Sequence, residues 1–150
     1  MAKFVFKLQS FLNIKQKIEE QKRNEYGKAQ KKLEEEKRKK EELILIHKHL
    51  TDSMREKIMS GIKPVELQQY NNYVAYILKE IQLQQQQIEK AEVIVKQKRE
   101  EVVQAMKERK ILETLKEKKY EQYLDEEKKA EQRIVDEIVS FKYNNKETSY

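Results

Sequence analysis

Cysteine and tryptophan are absent from this chain, glycine occurs twice and proline once. Without cysteine there are no disulfides and no thiolate metal ligands, a composition compatible with a reducing cytoplasm. Glycine and proline build the turns of a many-element fold, so a compact domain with many connections is excluded over these 150 residues. No run approaches the ~18 apolar residues of a membrane span. Lys3, Lys7 and Lys15 interrupt the apolar pattern of the first fifteen residues and break any signal-peptide core, so export by that route is not expected. Nor is there an excess of one charge: 33 Lys and Arg are interleaved with 27 Asp and Glu, for a net charge of +6. Nucleic-acid binders usually gather their basic residues on one face.

What is present is 40% charged and 37% hydrophobic residues, rich in Lys, Glu, Gln, Leu, Ile and Ala. That composition reads as long helix or coiled coil. The apolar residues are large and periodic, which argues against a disordered chain. The one break combining both turn residues is Ser60-Gly61-Ile62-Lys63-Pro64. Glycine suits the left-handed position after a helix end and proline the first turn of the next. Glu66 then meets the positive end of the second helix dipole. The chain is therefore expected to be one all-α domain over 1–150, an antiparallel two-helix coiled-coil hairpin. Helix one is placed at about 4–59, the turn at about 60–65 and helix two at about 66–141, with a flexible polar tail over 142–150.

The second helix carries the better heptad. Leu67, Tyr70, Val74, Ile77, Ile81, Gln84, Ile88, Ala91, Val95, Lys98, Val102, Ala105, Arg109 and Leu112 alternate steps of three and four, which puts one stripe along one side. In the first helix Phe4, Leu8, Phe11, Ile18, Ala29, Leu33, Leu43, Leu50 and Met54 lie near one register. Between Glu34 and Glu42 that helix is almost wholly charged. Glu34–Arg38, Glu35–Lys39 and Glu36–Lys40 there have the favourable acid-first i,i+4 order, worth about 0.2–0.5 kcal/mol each. Gly27 falls mid-helix, at a cost of up to ~1 kcal/mol against alanine.

A bend near residue 63 sets Phe4–Phe11 opposite roughly 114–121. The second helix then overhangs by about 20 residues, or roughly 30 Å at 1.5 Å per residue. Its face is apolar: Tyr120, Tyr123, Leu124, Ala130, Ile134, Val135, Ile138, Val139 and Phe141. An exposed stripe of this size points to a covering partner, either another protein or a second copy.

The residues give an enzyme nothing to stand on. His47 and His49 are two apart on a helix, point in different directions and cannot share a metal. No serine or threonine sits in a motif beside a base, and a hairpin offers no pocket that excludes water. Gly27 and Gly61 stand alone, so no phosphate loop exists. No catalytic, metal or cofactor residue is expected, and no small-molecule substrate. The run Gln82–Gln87, broken by Leu83, reads as a wetted helix face. Acids flank Lys37-Arg38-Lys39-Lys40 on both sides, which disfavours nucleic acid. Lys3-Phe4-Val5-Phe6-Lys7-Leu8 suits contact with an anionic membrane surface as a secondary role.

One apolar block exceeds what a seam needs. Leu43-Ile44-Leu45-Ile46 are consecutive, whereas a two-stranded seam buries about two residues in seven. Opposite lie Tyr73, Tyr76, Leu78 and Leu83, also partly off the seam. Two readings stand level: a locally wider core, or a docking patch of the aromatic and aliphatic kind that protein partners grip.

At this point the chain resembles the FliJ family of the bacterial flagellar type III export apparatus. The resemblance rests on Phe4-x-Phe6-x-Leu8-x-x-Phe11-Leu12-x-x-Lys15, on the turn Met59-Ser60-Gly61-Ile62 with an aromatic-rich start to helix two, and on Glu131-Gln132-Arg133-Ile134-Val135-Asp136-Glu137. It implies a non-enzymatic hairpin similar to the central stalk of rotary ATPases. The partners it implies are the ring of the export ATPase (FliI), whose assembly and activity such a protein promotes, and the ring's regulator (FliH). It further implies the cytoplasmic domain of the export-gate protein (FlhA) and free export chaperones. The implied gate surface is Leu43, Ile46, Leu50, Tyr73, Ile77 and Gln84, with Ile46 and Leu50 aliphatic where a relative carries aromatics. The implied ring surface is Phe4, Phe6 and Leu8 with Gln132, Arg133, Ile134, Asp136, Glu137 and Ile138. The expected location is cytoplasmic, peripheral at the inner face of the membrane at the flagellar base, and the expected state alone is a monomer. The alternative readings are a structural coiled-coil spacer, which would be a homodimer, and an adaptor or chaperone.

Overall fold

The computed structural model describes residues 3–148. Two helices, α1 Gln9–Ser60 and α2 Pro64–Glu147, pack against each other as an all-α hairpin, with no strand among the described residues. The bend falls where the Gly–Pro break sets it. Gly61 follows the last residue of α1 with φ 97°, a left-handed conformation that glycine adopts without steric cost. Pro64 opens α2, where its missing N–H costs no hydrogen bond, and Glu66 lies in the first turn. Leu67 N–H donates to the Lys63 carbonyl at 3.1 Å.

Both outer helix ends differ from expectation. α1 begins at Gln9, not near residue 4. Leu8, just before it, has no side-chain acceptor for the free N–H groups, and the first turn holds no acid. Residues 3–6 instead run without regular structure and bring Phe6 to 8% exposure. At the other end α2 continues through 142–147, where a flexible tail was expected. That stretch has no glycine or proline to stop it, and Lys146 in the last turn suits the dipole. Thr148 closes it with side-chain and backbone bonds to the Asn144 carbonyl, at 3.0 and 3.1 Å. Ser149 and Tyr150 lie outside the described residues.

Packing gathers the chain into two units, one of residues up to Ile18 with those from Ala105 onward, the other Glu19–Gln104. Each is an antiparallel pair, in which cross-helix contacts join residue numbers adding to about 125. In the first unit Lys15 Nζ meets Glu108 Oε2 at 2.9 Å, and Phe4 packs on Tyr120 and Tyr123. In the second, Lys98 and Lys22 reach Glu25 at 3.3 and 3.6 Å and Glu101 at 3.4 and 3.5 Å. Lys40 Nζ donates to Gln85 Oε1 at 2.7 Å. Gln84 Nε2 donates to both the backbone carbonyl and the carboxylate of Glu36. Near the bend, the Lys57 ammonium lies 5.2 Å from the centre of the Tyr70 ring, a cation–π contact.

All fourteen heptad positions of α2 are buried or half-buried. On α1 the seam runs in a register the apolar residues conceal: Leu8, Leu12, Lys15, Glu19, Lys22, Tyr26, Ala29, Leu33, Glu36, Lys40, Leu43, His47, Leu50 and Met54, none of them exposed. Leu12 is 2% exposed, whereas Phe11, expected in the seam, is 58% exposed. Six of these seam positions are Lys, Glu or His. The most buried, Glu19 at 6% exposure, accepts from Arg23 Nη2 at 2.8 Å. Polar seam positions specify pairing and register at some cost in stability. The local charge pairs shift accordingly. In place of the three i,i+4 pairs expected, Arg38 pairs with Glu42 at 3.9 Å and Lys39 with Glu36 at 3.6 Å, while Lys40 turns across to Gln85.

The two glycines generate opposite expectations. A methyl group on Gly27 meets nothing within 4 Å, so Gly27→Ala should raise stability by up to ~1 kcal/mol. Gly61→Ala meets open space too but carries the left-handed φ, and should cost about 1–2 kcal/mol. Thermal melts followed by circular dichroism should move in opposite directions for the two variants.

A second expectation concerns acid. Glu25 lies below the ordinary carboxylate pKa of 4.5, chiefly through its hydrogen bond from Lys98, with Lys22 adding to it. Glu36 is lowered chiefly by the bond from Gln84. Groups lowered on folding contribute stability that is complete above their unfolded-state pKa and lost as pH falls through the folded-state value. The melting temperature should hold at neutral pH and fall as pH drops below about 4.5. Glu25→Gln combined with Glu36→Gln should flatten that acid limb.

Candidate protein-binding surfaces

The first surface lies in the unit formed by the two chain ends. Phe4 sets its ring edge-on to Tyr120 at 5.2 Å and tilted against Tyr123 at 5.6 Å, while the two tyrosines stack at 6.3 Å. Phe6 is buried and Leu8 half-buried. Burial among these rings, with Glu127 and Tyr120 nearby, holds the Tyr123 hydroxyl above its ordinary pKa. An open groove of about 610 Å³ remains here, lined by Lys3–Leu8 on one side and by Leu115, Lys119, Gln122, Tyr123 and Glu126 on the other.

Past Glu127 this packing stops. Every residue from 128 to 148 is exposed, including Ile134 at 58%, Ile138 at 51% and Phe141 at 67%. Val135, Val139 and Tyr143 are exposed beside them. The polar residues of the stretch engage locally: Gln132 Nε2 donates to Asp136 Oδ1 at 3.1 Å, and Lys129 pairs with Asp125 at 3.2 Å. Arg133 and Glu137 are exposed. Of the residues expected at this end, Gln132, Arg133, Ile134, Asp136, Glu137 and Ile138 therefore stand open. Phe4, Phe6 and Leu8 form the last layers of packing against α2.

The second surface lies in the other unit. Ile44, Leu45 and Ile46 are 46%, 55% and 40% exposed, so the apolar block does not widen the core. Tyr73 and Tyr76 stack at 6.2 Å and are exposed, as are Leu78 and Leu83. The six residues expected as one patch separate. Ile46 and Tyr73 are exposed and Leu43 and Leu50 half-buried, Gln84 is tied to Glu36, and Ile77, 3% exposed, is seam. A side chain that buried offers a partner no area in this conformation.

Several exposed apolar residues escaped sequence reasoning. Phe11 and Ile14 project near the start of α1, and Ile58, Met59 and Val65 flank the bend, Met59 at 91% exposure. Val93 and Ile111 are further exposed on α2. Carrying the heptad of Leu12, Lys15 and Glu19 through its polar members would have found the first two. Among the described residues no three His, Cys, Asp or Glu side chains converge as a metal site, and no helix is long and apolar enough to cross a membrane.

These features define an all-α coiled-coil hairpin with a thin seam, an overhanging second helix and its apolar surfaces turned outward. Residues 4–148 match the family profile described as Flagellar FliJ protein, and the chain belongs to that family. Its members are non-catalytic components of the flagellar protein-export apparatus. No individual curated protein and no solved structure matches the chain significantly.

Seam and surface separate by stability. Ile77→Ala should cost about 2–5 kcal/mol by opening a cavity between the helices. Tyr73→Ala should stay within about 0.5 kcal/mol, as exposed substitutions do. Urea melts of the two variants check both values.

Proposed function

We propose that this chain is a stalk-like, non-catalytic component of the flagellar type III export apparatus. In this reading the end formed by the two chain termini binds the ring of the export ATPase FliI, at which its regulator FliH also acts. The bare stretch from 128 to 147 carries the reading: about 20 helical residues with a broad apolar face and no cover. Ile134 and Ile138 supply apolar contact, and Gln132, Arg133, Asp136 and Glu137 polar contacts. Phe4, Phe6 and Leu8 hold the α2 helix from which that stretch emerges.

The effect is a shift of equilibrium. A ligand moves an assembly only by binding one state better than another. The overhang therefore binds the assembled ring more tightly than free ATPase subunits, and so promotes assembly and activity. Hydrolysis of ATP belongs to the ring. The gate protein FlhA is met at the mid-hairpin patch, where Ile46 and Tyr73 with Ile44, Leu45 and Tyr76 supply the exposed area. Free export chaperones are partners for the same exposed apolar surfaces of this chain. The proposed location is cytoplasmic, peripheral to the membrane at the flagellar base.

Charge speaks against a second copy as the cover. Residues 127–133 and 142–147 are each net positive, while Asp136 and Glu137 between them are negative. Pairing two such stretches in register, parallel or antiparallel, sets like against like. Deleting residues 128–150 spares the Phe4–Tyr120–Tyr123 packing and should leave the melting temperature within a few degrees, yet should abolish stimulation of the export ATPase. Undiminished stimulation by that truncation rules the reading out, and an obligate dimer in light scattering favours the structural spacer.

A further inference from the structure

The first six described residues carry two incompatible patterns. As they stand, Lys3–Leu8 form a non-helical strap in which Phe4 lies on Tyr120 and Tyr123, Phe6 is 8% exposed and Val5 between them is 75% exposed. That alternation is the pattern of an extended segment laid on a surface. The same residues also continue the helical pattern of α1. Phe4, Phe11 and Ile18 recur every seven residues, with Ile14 between them on the same side, and Phe11 and Ile14 already stand 58% and 52% exposed. In a helix continued to residue 3, Phe4 joins that exposed face. Phe6 then points roughly 150° away from the Leu8–Leu12–Lys15 line at about 100° per residue, into solvent.

Little fixes the boundary between these forms. Leu8 offers no cap and the first turn of α1 no acid. α2 has no free backbone groups for the strap to bond. The strap rests on two phenylalanine side chains, the half-buried Leu8 and one turn bond, from Gln9 N–H to the Phe6 carbonyl at 3.1 Å, and local openings occur where such contacts are few.

We propose that Lys3–Leu8 is a conformational switch, exchanging between the strap and the first turns of a longer α1. The strap covers Tyr120 and Tyr123. The helical form uncovers them and extends the apolar face of Phe11 and Ile14 with Phe4, so a partner gripping both chain ends selects it. The switch is a property of the chain alone and stands or falls apart from the identity of that partner.

Backbone carbon chemical shifts of residues 3–8 in the isotope-labelled full chain test it, together with ring contacts of Tyr120 and Tyr123. Phe6→Ala removes the buried anchor of the strap and nothing the helical form uses. In that variant residues 4–8 should move to helical shifts and the Phe4–tyrosine contacts should vanish. Lys7→Pro bars the helix, because proline lacks the N–H and clashes with the preceding turn. It should keep non-helical shifts and the ring contacts. Non-helical shifts in Phe6→Ala, whether the strap stays bound or goes slack, overturn the proposal, and so do helical shifts through residue 4 in Lys7→Pro.

Discussion

Two helices can bury only the strip along which they touch, about two residues in seven on each. From that limit follow the thinness of the core and the outward placement of nearly everything else. Six apolar residues are buried among the described part of the chain, two of them alanines. Such a seam cannot hold a unique pairing by apolar fit alone. Lys15–Glu108, the Lys22–Glu25–Lys98–Glu101 group and the Glu36–Gln84 contact add directional bonds at intervals along it. A one-turn slip would separate these partners, and each cross-helix pair, about a third exposed, is worth up to ~1 kcal/mol. The polar layers thus specify register, while the apolar ones supply most of the attraction.

The position of the bend decides the rest of the architecture. Gly61 ends a helix of 52 residues and Pro64 starts one of 84, so α2 outlasts its partner. Beyond Glu127 the helix is supported by backbone hydrogen bonds, residue propensity and pairs such as Asp125–Lys129, each worth a few tenths of a kcal/mol. It continues a helix already nucleated and packed upstream, and most of the tertiary support that holds helices in proteins is missing from this stretch alone. The same stretch keeps Ile134, Ile138 and Phe141 exposed, so a protein that covers it both stabilises the helix and gains area. The exposed apolar residues of this end lie on helix without a packing partner, whereas Ile44, Leu45, Tyr73 and Tyr76 sit on helices already held by the seam.

Membership of the flagellar FliJ family places such a molecule in the protein-export apparatus, and the fold suits that setting. Each of its two units carries exposed aliphatic and aromatic groups with charged residues around them.

Much of this was legible in the residues. Scarcity of glycine and proline left only long helix, the Gly61–Pro64 pair located the bend, and the fourteen-position heptad of α2 marked its seam, because α2 keeps apolar side chains at most positions that touch. Unequal arm lengths then followed from counting. The seam of α1 was hidden for the opposite reason. Lys15, Glu19, Lys22, Glu36, Lys40 and His47 occupy it, and a reading that follows apolar residues drifts off to Phe11, which is exposed. Spacing did set Ile77 on the heptad and Tyr73 beside it, but it gave no measure of how far each is covered: Ile77 is closed between the helices, and Tyr73, four residues earlier, stands open. It did not foresee that residues 3–6 would leave the helix to lay Phe4 and Phe6 on α2. Local sequence determines periodicity and breaks; which side of a helix is covered, and which charge finds which partner, depends on a second helix whose facing residues lie far along the chain, 45 residues on for Lys40–Gln85 and 93 for Lys15–Glu108.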